Sequence, residues 1–290
     1  MSQHLADLMP AEEGRVSIRT WLKSFSYTKR LLVGESGDPW ESASRYLAYF
    51  SQAQGLLKPD VAVLEVGELF DAWLKRNPAV RAELAGKRKL SFPLRKLLEQ
   101  QQPRELLAEI IEAVLAQLRG QLPLVLSMPS PGSWLHEACR AAGREETELD
   151  SDSIEDAAMY LADLARSVSA AAVGGLLLEE SRSGEQPAID PELYRPLLNV
   201  ARHYRWPLVL RLGEGTIVDS PALAEIDLFI GAGDLPPAGR AHGVDVSGML
   251  WAGEPLAELT PTQFYFVEVP RDALPERVLD SLARLKAGGA

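Results

Sequence analysis

The sequence predicts an α/β fold of the (β/α)8 barrel class, and three observations carry that expectation. Short runs rich in Val, Leu and Ile recur eight times, and most are followed by a helical pattern, the alternation that builds a parallel sheet covered by helices. The 290 residues, 46% of them hydrophobic, are enough to bury one large core. No Ser/Gly/Pro linker divides the chain, so one domain spanning 1–290 is expected. An open doubly wound sheet is the competing arrangement.

In chain order the strands are read at RLLVGE (30–35), VAVLEV (61–66), LPLVLSM (122–128), GGLLLEE (174–180), PLVLRLG (207–213), DLFIGA (227–232), GVDVSGM (243–249) and QFYFVEV (263–269). The helix after the first strand opens at Asp38 as N-cap, with Pro39 at its first position and Glu41 three residues on, as in a capping box. In the helix from Pro103, residues Leu106, Ile110, Ala113, Val114 and Leu118 fall at helical spacing before Gly120. Asp152 or Ser153 caps the next helix, and Asp190 before Pro191 caps the one after it. LPERVLDSLARLKAGG closes the chain as a helix. Two segments are extra to the repeat: 1–29 is read as an N-terminal cover, and 81–100 as a βα-loop insertion over the barrel mouth.

Composition narrows the partners. Thirty Lys and Arg against 41 Asp and Glu give a net charge of −11, which repels DNA, RNA and anionic membrane. An anionic substrate would therefore have to be drawn by local arginines. Cys139 is the only cysteine, which rules out an intramolecular disulfide and any zinc site built from two thiolates of one chain. No apolar run approaches the roughly 20 residues of a membrane helix, and the first residues lack a secretory pattern. A cytoplasmic protein is expected, and Trp21, Trp40 and Tyr49 are compatible with a homodimer interface or with core packing.

In a parallel barrel the site lies at the carboxyl ends of the strands. Those ends supply Glu65 and Glu68, Ser127 and the SPGSW turn, Glu179 and Glu180, Arg211 and Glu214, Asp234, Ser247, and Glu268 with Arg271. Adjacent strand residues face opposite sides, so one of Glu179 and Glu180 must face the barrel interior. That acid is a candidate general acid or base, or an anchor for a cationic group; a rim ion pair to Arg182 or Arg211 is the alternative. Arg211, buried at a strand end, must pair with a carboxylate or await an anion.

LVLRLGEG (208–215) lacks the Lys-Ser/Thr of a phosphate loop and reads as a strand end. Ser130 or Ser133 caps the helix that carries Trp134, and the N-terminus of that helix at the mouth favours an anion. The four histidines are dispersed with no second ligand at metal spacing. A carboxylate-held Mg²⁺ stays open, whereas a tightly bound transition metal is not expected.

The order of these segments resembles the uroporphyrinogen decarboxylase and cobalamin-independent methionine synthase superfamily over about residues 58–287. LPLVLSMPSPGSWL is similar to its strand and Pro-containing loop, AAAVGGLLLEES to its "aGvdxixidEp" strand, ELYRPLLNVARHYRWPLVLRLGEG to the helix and strand leading to "lHxCxG", and FYFVEVPRDALPERVLDSL to its terminal "gHGilPxtpxEnv". Where the methyltransferase branch has zinc ligands, this chain has Arg211, Gly213 and Gly215; Arg271 falls where the decarboxylase branch has a histidine, and Arg19 and Trp21 loosely match its N-terminal motif.

The resemblance implies a metal-free decarboxylase or lyase without a cofactor, acting on a small carboxylated compound. Glu179 or Glu180 would serve as general acid/base, with Arg211, Glu214, Arg271, Ser130 and Trp134 binding substrate. A zinc-free methyltransferase working with a corrinoid or pterin partner, and a non-catalytic barrel that binds a ligand or partner, are the other readings.

Overall fold

The computed structural model describes residue 5 and residues 18–144, 147–180, 190–213, 224–232, 241–256 and 258–288. Eight parallel strands form one nearly closed (β/α)8 barrel in the order β1-β8-β7-β6-β5-β4-β3-β2. They are β1 (Thr20–Lys23), β2 (Ala62–Glu65), β3 (Leu124–Pro129), β4 (Gly175–Glu179), β5 (Leu208–Arg211), β6 (Leu228–Gly231), β7 (His242–Asp245) and β8 (Gln263–Glu268). The ladder is interrupted between β1 and β2. There the Asp60 carboxylate accepts the backbone N–H groups of Arg19 and Thr20, both at 2.9 Å, and ties the seam with a side chain.

Seven strands lie within or overlap the runs the sequence marks, although of GVDVSGM only 243–245 is strand and Ser247–Met249 opens a helix; the first does not. RLLV lies inside helix α1 (Phe25–Val33), which buries Phe25, Tyr27 and Thr28 and stops at Gly34, whose φ of 81° suits a residue without Cβ. The true β1 lies within the segment expected to be a cover. Its TWLK has only two apolar residues, Trp21 pointing into the barrel beside Phe264 (ring centroids 6.0 Å apart) and Leu22 facing the opposite way, so it lacks the continuous apolar run of the other strands. At the opposite end of the barrel from the mouth, the Leu5 N–H donates to the Gly174 carbonyl at 3.1 Å and its fully buried side chain joins the interior core.

The helices are α2 (Ala43–Leu57), α3 (Val66–Arg76), α4 (Pro78–Glu83), α5 (Phe92–Leu98), α6 (Gln101–Leu118), α7 (Pro131–Ala141), α8 (Ser151–Ser167), α9 (Arg195–Tyr204), α10 (Ser247–Ala252) and α11 (Pro275–Gly288). Their caps refine the expectations. Asp38 caps a 3₁₀ turn, and Ser42 caps α2. Asp150 caps α8, accepting from the Ser153 N–H at 2.7 Å, in place of Asp152 or Ser153. The segment 81–100 runs from the end of α4 through α5, which packs against α7 and α8 beside the mouth. Trp21, Trp40 and Tyr49 are core residues, at 0%, 1% and 6% exposure. Among the described residues no helix is long and apolar enough to cross a membrane.

Three buried clusters result. Inside the barrel Trp21, Val125, Leu177, Val209, Ile230 and Phe266 stack into an apolar plug; the largest cluster lies between the strands and the helix layer, and a smaller one joins Leu22, Tyr265 and Val267 to Tyr27, Leu250 and Val278 of the helices beside β1 and β8. Because side chains alternate along each strand, the inward-facing positions above this plug are Lys23, Glu65, Ser127, Glu179, Arg211, Asp245 and Glu268. The top layer of the barrel is therefore ionic.

Candidate active site

This layer floors a cavity of about 520 Å³ at the mouth, which extends sideways between α3 and α7. Gly67, at the start of α3, permits that geometry, because a Cβ there would stand 2.9 Å from the Pro129 ring at the end of β3. Seven carboxylates line the cavity: Glu65, Glu68, Asp71, Glu137, Glu179, Glu180 and Glu268. Against them stand two cations, Lys23 and Arg211.

Both cations are already paired. The Arg211 guanidinium donates to Glu179 at 2.9 Å, Glu268 at 2.8 Å and Asp245 at 3.1 Å, and lies 4.3 Å from the centroid of the Phe266 ring. Lys23 Nζ donates to the same Glu179 Oε2 at 2.7 Å. Burial alone would lower the Lys23 pKa, but the nearby Glu179, Glu65 and Glu268 outweigh it and raise the pKa, so the amine stays charged. A nucleophilic lysine needs the opposite shift.

Glu179 and Glu180 face opposite ways, as strand geometry requires. Glu179 is the hub of the ion network and also accepts from Ser127 Oγ at 2.5 Å. Burial would raise its pKa, yet Lys23 and Arg211 pull it below the ordinary value. Glu180 turns toward the helix layer and accepts from Ser130 Oγ at 2.6 Å, Tyr194 Oη at 2.6 Å and Ser133 Oγ at 3.3 Å. Its pKa is raised, burial outweighing the three hydroxyls. Ser130 also caps α7, accepting from the Ser133 N–H at 3.2 Å. Trp134 is a buried wall residue edge-to-face with Phe70, their ring centroids 5.7 Å apart.

Arg271 is not brought to this site. It stands outside the mouth cavity, half exposed, pairing with Glu35 and Asp272. Glu214 and Asp234 lie outside the described residues. The expected pair of arginines clamping a substrate carboxylate does not form, since one is enclosed by acids and the other points elsewhere.

Glu65 differs from every other acid in the floor. It is buried, at 9% exposure, lines the cavity, and has no hydrogen-bond partner among the described residues. Burial is the main force raising its pKa to about 8; Lys23 opposes it, and Glu179, Glu68 and Glu268 reinforce it. Sequence reasoning places Glu65 at a strand end without giving it a role, and passes over Lys23 because β1 was sought ten residues downstream. Asp245 also goes unnoticed, although a charged residue closing a strand is the same signal that singled out Arg211. Among the described residues, no group of three or more His, Cys, Asp or Glu side chains is arranged to hold a metal ion.

No family model matches the chain, and no curated relative matches it. Among solved structures it is similar to dihydrodipicolinate synthase from Agrobacterium tumefaciens, at 20% identity over 64% of this chain and 59% of that one, with a TM-score of 0.34. It is similar as well to dihydrodipicolinate synthase from Bacillus clausii, at 12% identity over 83% of this chain and 68% of that one, with a TM-score of 0.39. The chain thus spans under two thirds of the length of the first. The likeness is one of barrel fold, to chains named as synthases.

These comparisons correct the family expectation. The structural likeness is to barrels named as dihydrodipicolinate synthases, and not to the uroporphyrinogen decarboxylase and methionine synthase superfamily. The decarboxylase and methyltransferase assignments built on that resemblance fall with it. The site adds a physical reason, since Arg211, the arginine meant to stand in for zinc and hold an anion, spends its donors on three carboxylates of its own barrel.

Proposed function

We propose that this barrel is an enzyme whose mouth binds a small amine-bearing cation and exchanges a proton with it through Glu65. One observation carries the reading: among the described residues both cations of the mouth pair with its own carboxylates, while Glu65, a buried carboxyl group facing the open cavity, has no hydrogen-bond partner. An anion entering here would meet surplus negative charge. An ammonium or amidine group would supply the hydrogen-bonded counter-charge that Glu65 does not find among the described residues, and charge-assisted hydrogen bonds of this kind are about twice as strong as neutral ones.

The chemistry suits Glu65. Acid/base catalysis is most efficient when the group's pKa lies near the working pH, and burial brings Glu65 to about 8. A cation arriving beside it favours the ionised form, so binding itself would prime Glu65 to take a proton. Glu179, its pKa lowered by Lys23 and Arg211, keeps the electrostatic frame charged.

The test is calorimetric titration of the full chain with simple primary amines and with dicarboxylates of similar size, repeated with Glu65→Gln. Amines should bind, dicarboxylates should not, and Glu65→Gln should weaken amine binding about tenfold or more, the loss of one charge-assisted hydrogen bond. Preference for dicarboxylates, or amine affinity indifferent to Glu65→Gln, would overturn the reading. Any amine substrate found to turn over should show a kcat/KM profile governed by a group near pH 8 that vanishes in the variant.

A further inference from the structure

The mouth cavity does not end above the barrel axis. It continues outward along α3, where Glu68, Asp71 and Leu74 follow Glu65 of the β2 end at every third residue and all line it. With a helical rise of about 1.5 Å per residue, successive members of this row are separated by about 4.5 Å along the helix. Exposure grades along the row: Glu65 is buried, Glu68 half-buried and Asp71 exposed.

The facing wall is α7, whose Trp134, Glu137, Ala138 and Ala141 fall on one helical face and line the same cavity. The two helices meet at the base through Phe70 and Trp134, and Leu97 of α5 lines the groove from the side. The groove therefore pairs acids with an apolar strip. Asp71 has Lys75 as a partner at 2.6 Å. Neither Glu68 nor Glu137 has a cation within salt-bridge distance among the described residues. Burial first, and then repulsion from Asp71, raises both pKa values, with Glu68 adding to the effect on Glu137.

We propose that this groove holds a second cationic group of the same substrate, so that the ligand is a linear diamine or longer polyamine. One ammonium would sit at Glu65 and another between Glu68 and Glu137, with the methylene chain against Trp134 and Ala138. The proposal rests on the amine reading of the mouth and specifies it. The groove's acids alone would not define a ligand site. What makes them one is their continuity with Glu65, a carboxyl group more than nine-tenths buried that faces the cavity with no hydrogen-bond partner among the described residues.

Titrations with 1,4-diaminobutane, 1,5-diaminopentane and n-butylamine separate the two readings. The diamines should bind about tenfold more tightly than butylamine, the equivalent of about 1.4 kcal/mol. The double variant Glu68→Gln/Glu137→Gln should bring the diamines to the level that butylamine shows in the same variant. Equal wild-type affinities for diamine and butylamine, with butylamine still sensitive to Glu65→Gln, would overturn the groove proposal and keep the mouth reading. Absence of binding by any amine would overturn both. A diamine advantage that survives the double variant also overturns the groove, because the second ammonium would then lie elsewhere.

Discussion

The mouth has two halves built from the same residue types and wired differently. On the β4–β8 side every acid of the floor has a partner: Glu179, Asp245 and Glu268 share the Arg211 guanidinium, and Lys23 reaches across to Glu179. On the β2–α3 side Glu65 and Glu68 make no hydrogen bond among the described residues. The difference shows why burial of a charge is not by itself a functional sign. A buried ion that is fully paired holds the barrel's shape, whereas a buried group without a partner is costly unless something else supplies one.

The largest effect should come from breaking the paired half. Arg211→Met keeps an aliphatic stem over Phe266 but leaves Glu179, Asp245 and Glu268 facing one another in a buried layer. Removing one partner from a buried ionic network costs about 3–5 kcal/mol, and urea unfolding should register a loss of that size. A loss below about 1 kcal/mol would mean that solvent already screens the network, and the contrast between the two halves would dissolve.

The unpaired half should respond with the opposite sign and only in a defined pH window. The folded pKa of Glu65, about 8, lies above its ordinary value of 4.5, so the native state prefers the protonated form. That preference contributes stability fully below pH 4.5, and it is lost as pH rises through the folded pKa. Glu65→Gln cannot ionise. It should match the wild type near pH 5 and exceed it near pH 9 by on the order of 3 kcal/mol, seen as a higher Tm. A variant that is less stable than the wild type at both pH values would show that Glu65 is paired after all.

These halves were unequally legible from sequence. Seven strands could be read because a parallel strand covered on both faces is a continuous apolar run, as in Leu176, Leu177 and Leu178. β1 is short and mixed, and Leu31, Leu32 and Val33 imitate a strand while belonging to α1. Positions at the strand ends were readable; partners were not. Arg211 meets Asp245 and Glu268, 34 and 57 residues away, and only the register around the barrel brings them to one level. Likewise nothing local tells Glu179 from Glu180. The inward one met cations from β1 and β5, and the outward one met hydroxyls from α7 and the 3₁₀ turn at Pro191–Tyr194.

The smallest effect tests the boundary of the site. Arg271 ends the β8 region much as Arg211 ends β5, and sequence logic treats the two alike. The structure separates them: Arg271 is half exposed and pairs with Glu35 and Asp272, both exposed themselves. Exposed ion pairs contribute little because water screens them and long side chains must be ordered to form them. Arg271→Ala should therefore change stability by no more than about 0.5 kcal/mol. It should also leave amine affinity unchanged, because the residue does not line the mouth cavity. If Arg271→Ala instead weakened amine binding as much as Glu65→Gln, the functional surface would reach past the β8 rim. The division between a paired frame and an unpaired binding wall would then have to be redrawn around α1 and β8.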